Sequence, residues 1–179
     1  MELLARLYTI GHSTRTLREL IEALGAHSVQ TLVDIRAFPM SRRLPHFNRE
    51  NLAGELPEAG IRYVWMQALG GYRKKTRKDS PHAALRNASF RNYADHMLSA
   101  DFKQAIGEVV KLAQGSPSAL MCAERVYFHC HRMLVSDYLL AHGHQVLHID
   151  GSAAPRAHQL TRQARLVGED VIYGEDQLF

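Results

Sequence analysis

Short runs of β-branched and aromatic residues alternate with helix-period segments along nearly the whole chain, an order that few architectures accept. RLYTIG at 6–11 reads as a strand that ends at Gly11. Thr16 and Glu19 then have capping-box spacing, and Leu17, Leu20, Ile21 and Leu24 give one apolar helical face before Gly25. TLVDIR at 31–36 is a second strand, apolar enough to be buried on both sides. Asn48 is placed to cap a helix through about Glu58, which Gly60 stops. IRYVWM, SALMCAE and QVLHID supply three further strands. Helical patterning lies around Phe90, from Asp101 to Ala113, and through HRMLVSDYLLAHG to Gly143.

This alternation predicts an α/β fold: a three-layer, Rossmann-like, mostly parallel sheet of about five strands with helices on both faces. ARLVGEDVIYGED reads as a small C-terminal hairpin about a Gly-Glu-Asp turn. At 179 residues the chain fits one α/β domain, with a sheet-and-helix core over 1–152 and an extension packing on it over 153–179. No run approaches the roughly eighteen apolar residues of a membrane span. MELLARLYTIGH has an early acidic residue and no long apolar core, so no secretory signal is read and a cytoplasmic location is expected. The loops at 37–48 and 70–88 are too long for plain connectors and are expected to be functional. The first carries Arg42, Arg43 and Arg49 nearby; the second carries Arg73, Lys74, Lys75, Arg77 and Lys78. Such clusters suit a phosphate-bearing partner, a nucleotide or nucleic acid, or simply a solvated surface.

Ligands of open parallel sheets bind beyond the carboxyl ends of the strands. Those ends here carry Gly11-His12-Ser13, Asp34-Ile35-Arg36, Leu69-Gly70-Gly71, Cys122-Ala123-Glu124 and Asp150-Gly151. The chain's two cysteines flank one loop, Cys122 leaving a strand and Cys130 preceding a helix whose dipole and free N–H groups would stabilise a thiolate. His131 and Arg132 push the same way, and Glu124 is an acid–base candidate should burial raise its pKa. Cys122 reads equally as a small packed hydrophobe, whereas the polar helix start at Cys130 favours function. A strand, loop and helix around a thiol resembles the rhodanese layout, and LVDIR resembles that fold's aspartate-bearing strand. The residue six beyond Cys122 is Phe128, however, so the arginine-closed phosphatase loop is not present. With seven residues between them the thiols are also placed to cycle between dithiol and disulfide. Their spacing fits no standard zinc motif, and no metal is expected.

His12 projects from its strand end towards the expected crevice, where Ser13 suits a phosphate or merely caps a helix. Asp34 and Arg36 share one side of their strand, so they pair with each other or leave Arg36 to grip a phosphate. Arg42, Arg43, His46 and Asn48 offer donors to phosphate or a base edge, while Phe38 and Phe47 stack on a ligand or anchor the loop. Gly70 and Gly71 permit close backbone approach to a ligand.

Taken in order, YTIGHSTRTLRELIEAL, LVDIRAFPMSRRLPHFNRENL, GIRYVWMQALGG, SFRNYADHM, ALMCAE, CHRMLVSDYL and HQLTRQARL resemble the bacterial and archaeal proteins grouped as domain of unknown function 488. The resemblance implies a single α/β domain with no firmly established activity, although some members carry a DNA-repair label. It points to His12, Ser13, Asp34, Arg36, Arg42, Arg43, His46, Phe47, Asn48, Gly70 and Gly71. It also points to Asn87, Arg91, Tyr93, Cys122, Glu124, Cys130, His131 and Arg132. The favoured expectation is an enzyme holding a phosphate-bearing ligand at the carboxyl edge of the sheet. Cys130 would be its activated thiol, Glu124, His12, His131 and Cys122 would assist, and no cofactor is assigned. A sulfurtransferase-like or thiol-redox protein and a non-catalytic nucleic-acid-binding module are the alternatives.

Overall fold

β1 (Arg6–Gly11), β2 (Thr31–Asp34), β3 (Arg62–Trp65), β4 (Ser118–Cys122) and β5 (Gln145–Ile149) form where the alternation places them, in a computed structural model that describes residues 3–175. They pair in parallel in the order β3-β2-β4-β1-β5. β6 (Arg156–Ala157) adds a sixth, antiparallel strand at the β5 edge. The sequence gives no sign of it, because two residues carry no periodicity. β7 (Ala164–Val167) and β8 (Asp170–Tyr173) form the expected hairpin, with Gly168 at φ 63° in its turn.

The helices are α1 (Leu17–Ala26), α2 (Arg49–Glu58), α3 (Ala88–His96), α4 (Ala100–Gly115) and α5 (Arg132–Ala141). Period-two alternation in the buried strands sorts the core into two. Ile10, Leu32, Met121 and Leu147 pack with Leu20, Leu24, Leu52 and Leu56 of α1 and α2. Leu7, Val33, Leu120 and Val146 pack with α3, α4 and α5 through residues such as Tyr93, Phe102 and Val135. Helices therefore cover both faces, as a parallel sheet requires. Among the described residues no helix is long and apolar enough to cross a membrane.

Local chemistry sets the helix starts. At α1, Thr16 Oγ1 accepts from Glu19 N at 3.1 Å and Glu19 Oε1 accepts from Thr16 N at 3.2 Å, closing the capping box. Asn48 stands at the N-cap of α2 but makes no capping bond there. Its Oδ1 instead accepts from Ser41 N at 2.6 Å, so the side chain folds the 37–48 loop back on itself.

The strand order sets the position of the site. β4 lies between β2 and β1, and the chain leaves β1 and β4 towards helices on opposite faces. The carboxyl ends of β1, β2 and β4 consequently part around a crevice.

Candidate functional site

That crevice encloses about 460 Å³ and is lined by His12, Ser13 and Thr14 after β1, by Arg36 after β2, and by Glu124 and Arg125 after β4. Exposed Phe38 and Met40 form its outer lip. Gly11 lets the β4 loop close onto β1: a Cβ there would stand 1.8 Å from the Glu124 carbonyl oxygen, so no side chain fits.

Arg36 is spent on its own strand. Its Nε donates to Asp34 Oδ1 at 2.9 Å and its Nη2 to Asp34 Oδ2 at 2.7 Å and to the Phe47 carbonyl at 2.7 Å. Asp34, fully buried, also accepts the Tyr63 hydroxyl at 2.5 Å. Burial opposes the guanidinium charge, yet Asp34 outweighs it and Arg36 holds its proton more tightly than usual. Burial and the Asp34 carboxylate together push the Tyr63 hydroxyl up. Of the two roles the sequence left open for Arg36, the geometry realises pairing.

Arg36 Nη1 donates to His12 Nε2 at 3.3 Å, while His12 Nδ1 donates to the Ser13 carbonyl at 2.8 Å. The ring stacks on Phe47 with centroids 4.3 Å apart. Burial, reinforced by the Arg36 charge, lowers the His12 pKa to about 4, so the ring is neutral at physiological pH. Phe47 is buried and anchors the loop, whereas Phe38 is exposed. His46 donates to the Arg15 carbonyl at 2.8 Å, and Arg42 and Arg43 are exposed on the same loop.

The thiols sit on the other face. Cys122 and Cys130 belong to the core packed by α3, α4 and α5, and neither sulfur is part of the crevice lining. Both are free and buried, with the sulfurs 2.8 Å apart. Arg132 N, at the start of α5, donates to Cys130 Sγ at 3.3 Å. The Cys122 thiol donating to Cys130 is the largest influence holding the Cys130 pKa down, and His131 and Arg132 add to it against the opposing burial. Cys122 is correspondingly pushed up and keeps its proton. Within the pair, ionisation therefore favours Cys130 over Cys122.

Arg132 is the other half of this arrangement. Only 1% exposed, it donates from Nη2 to the carbonyls of Glu124 at 2.8 Å and Arg125 at 2.9 Å, closing the loop between the cysteines. Among the described residues no carboxylate forms an ion pair with it. The buried guanidinium charge favours the thiolate form of Cys130. Glu124 contributes its carbonyl to this clamp while its side chain is exposed, so the burial that its acid–base role required is not provided. His131 donates to the Ile35 carbonyl at 2.9 Å, and its ring occupies the space a Gly71 side chain would need: a Cβ there would lie 2.4 Å from the ring. At Gly70 the Ala37 backbone makes the close approach. The double glycine thus admits this chain's own groups.

Three residues singled out by resemblance have scaffolding roles. Asn87 caps α3 through Phe90 N at 3.1 Å, Arg91 donates to the Leu85 carbonyl at 2.9 Å, and buried Tyr93 donates to the Leu69 carbonyl at 2.8 Å.

Sequence reasoning passed over a buried polar chain behind Arg132. Thr9 and His148 face each other across β1 and β5, with Thr9 Oγ1 2.6 Å from His148 Nδ1. His148 Nε2 lies 2.9 Å from His158 Nδ1, and His158 Nε2 2.8 Å from Asp137 Oδ1. Tyr127 stacks flat on His148 at 3.8 Å. Burial lowers the His148 pKa to about 3, helped by the charges of His158 and Arg132. The available signal was a threonine and a histidine in otherwise apolar strands, RLYTIG and QVLHID. His148 also borders a second hollow of about 450 Å³, lined by Phe128, Asp150 and Arg156, and Arg125 and Val126 line both hollows.

No curated protein and no solved structure matches the chain. The family model described as Domain of unknown function DUF488 matches residues 16–139, a span that runs from the α1 cap through the thiol loop into α5 and leaves His12, Ser13 and Thr14 of the crevice outside. More than half of the sequence lies within that match, and the chain therefore belongs to the DUF488 family.

Proposed function

We propose that the chain is a thiol-redox protein whose Cys122–Cys130 pair reduces a small oxidant. The observation that carries this reading is the sulfur pair itself, 2.8 Å apart and backed by a buried arginine that pairs with no carboxylate among the described residues. A disulfide needs the sulfurs only about 0.8 Å closer. Exposures of 3% for Cys122 and 7% for Cys130 favour a small reagent such as a hydroperoxide over a protein disulfide. The Cys130 thiolate attacks the peroxide oxygen, the O–O bond breaks, and the alcohol leaves with a proton from solvent, giving a sulfenic acid. Cys122 then attacks that sulfur; the S–S bond forms, and hydroxide departs with the Cys122 proton as water. Two electrons pass from the dithiol to the peroxide.

Hydrogen peroxide titration with mass spectrometry tests this. The wild-type protein should lose two hydrogen masses and its alkylatable thiols together. Cys130→Ser should abolish the reaction, and Cys122→Ser should accumulate a sulfenic acid that dimedone traps. Thiols that stay reduced and alkylatable under peroxide would overturn the reading.

A second reading is favoured by the crevice: a phosphate-bearing ligand, nucleotide or nucleic acid, seated at the carboxyl edge. Its support is the adjacency of Ser13 and Thr14 to the loop that carries exposed Arg42 and Arg43, and the contact of its Phe38 ring, 5.9 Å away, with Tyr72 of the loop that carries Lys74 and Lys75. Fluorescence anisotropy with labelled single-stranded and duplex oligonucleotides and with a nucleoside triphosphate should show affinity that falls steeply with salt. Binding that is absent or indifferent to salt removes this reading.

A further inference from the structure

We propose that Asp137, His158, His148 and Thr9 form a positioning relay that fixes Arg132, and through it the charge on the thiol pair. This rests on the thiol reading above and extends it to residues far from the cysteines in sequence.

The relay is anchored at its carboxylate end. Asp137 is fully buried and accepts from Thr161 N at 2.9 Å, from the Tyr173 hydroxyl at 2.8 Å and from His158 Nε2 at 2.8 Å. A carboxylate only accepts, so His158 carries a proton on Nε2. His148 Nε2 and His158 Nδ1, 2.9 Å apart, share the next hydrogen bond. The Thr9 hydroxyl oxygen lies 2.6 Å from His148 Nδ1 and accepts from Arg132 Nη1 at 3.4 Å. Every ring nitrogen of the two imidazoles has a partner. The outcome is a fixed lone pair presented to the guanidinium. Nη2 of the same arginine clamps the Glu124 and Arg125 carbonyls, and its backbone N–H meets Cys130 Sγ.

Without the Thr9 oxygen, Nη1 loses its acceptor among the described residues. The fork is then free to turn away from the loop, and the Cys130 thiolate loses part of its countercharge. The titratable and charged groups facing Cys130 are Cys122 from β4, His131 and Arg132 at the start of α5, and Tyr93 from α3. Those facing His148 are His158, Arg132 and Arg156. The effect passes only through Arg132, so Thr9 and the two histidines are positioning residues.

The test is the pH titration of thiolate ultraviolet absorbance in the full chain, with a urea melt as a folding control. The wild-type protein should titrate Cys130 well below the ordinary thiol range. Thr9→Val keeps the shape and removes the hydroxyl, and should raise that inflection by about half to one pH unit, a roughly three- to tenfold loss of thiolate on the acid side. Thr9→Ser should restore the wild-type curve. If Thr9→Val does not fold, His148→Phe serves, since it keeps the stack on Tyr127 and cuts the relay. A wild-type thiol that titrates in the ordinary range overturns the thiol reading itself. A wild-type inflection that is low, with the Thr9→Val or His148→Phe curve superimposed on it, overturns the relay alone.

Discussion

Asp34→Ala is expected to cost about 3–5 kcal/mol of folding stability in a urea melt, because it strands the Arg36 guanidinium in the core. Asp34 accepts four hydrogen bonds: Arg36 N, Nε and Nη2, and the Tyr63 hydroxyl. The ion pair is sequestered on both sides, with 8% side-chain exposure for Arg36 and none for Asp34. Removing one partner costs far more than the pair itself contributes, since the survivor keeps a desolvated charge. The double variant Asp34→Ala/Arg36→Met should therefore recover a large part of the loss. The same substitution should loosen the crevice wall, as Arg36 reaches the 37–48 loop through the Phe47 carbonyl. A loss below about 1 kcal/mol for Asp34→Ala would show that Arg36 does not depend on this partner.

Asp137→Ala should be of similar size, about 3–5 kcal/mol, for a different reason. Three donors, two of them on buried side chains, lose their acceptor together: His158 Nε2, the Tyr173 hydroxyl and Thr161 N. All three belong to the segment after β5, so Asp137 is where α5 holds the C-terminal strands. Asp137→Asn separates geometry from charge. Its amide oxygen can still accept from His158 and Thr161, and its NH₂ can donate to a Tyr173 hydroxyl that has turned round. That variant is expected within about 1 kcal/mol of wild type, with the thiol titration preserved. Equal destabilisation by alanine and asparagine in parallel melts would place the effect in the negative charge instead.

The fold was legible because its information is local. RLYTIG, TLVDIR and QVLHID alternate or run apolar as buried strands must, Thr16 and Glu19 stand at capping distance, and Gly168 marks a turn that needs positive φ. The edge strand Arg156–Ala157 has no such mark, since its pairing to β5 comes from position alone. The site was legible only as a set of strand ends. Which face each side chain takes depends on strand parity and on what else competes for its atoms. Asp34 and Arg36 turn towards α1 and α2, and Cys122 turns towards α3, α4 and α5, so one sheet edge carries two chemically separate clusters. Asn48 illustrates the competition: its side chain is spent on Ser41 N, which no spacing rule reveals. The Asp137–His158 link spans 21 residues and two elements, and emerges only when the tail is folded back on α5.

The segment from Ala123 to His129 is a shared partition, hollow on either side and rooted at each end in a cysteine. A guest lodged against one side of such a wall bears on whatever occupies the other, and any preference it imposes is returned in equal measure by reciprocity. Bridging the two roots with a covalent bond would shorten the span between them and reset both cavities in one event. Electron supply and guest occupancy would then be read on a single gauge.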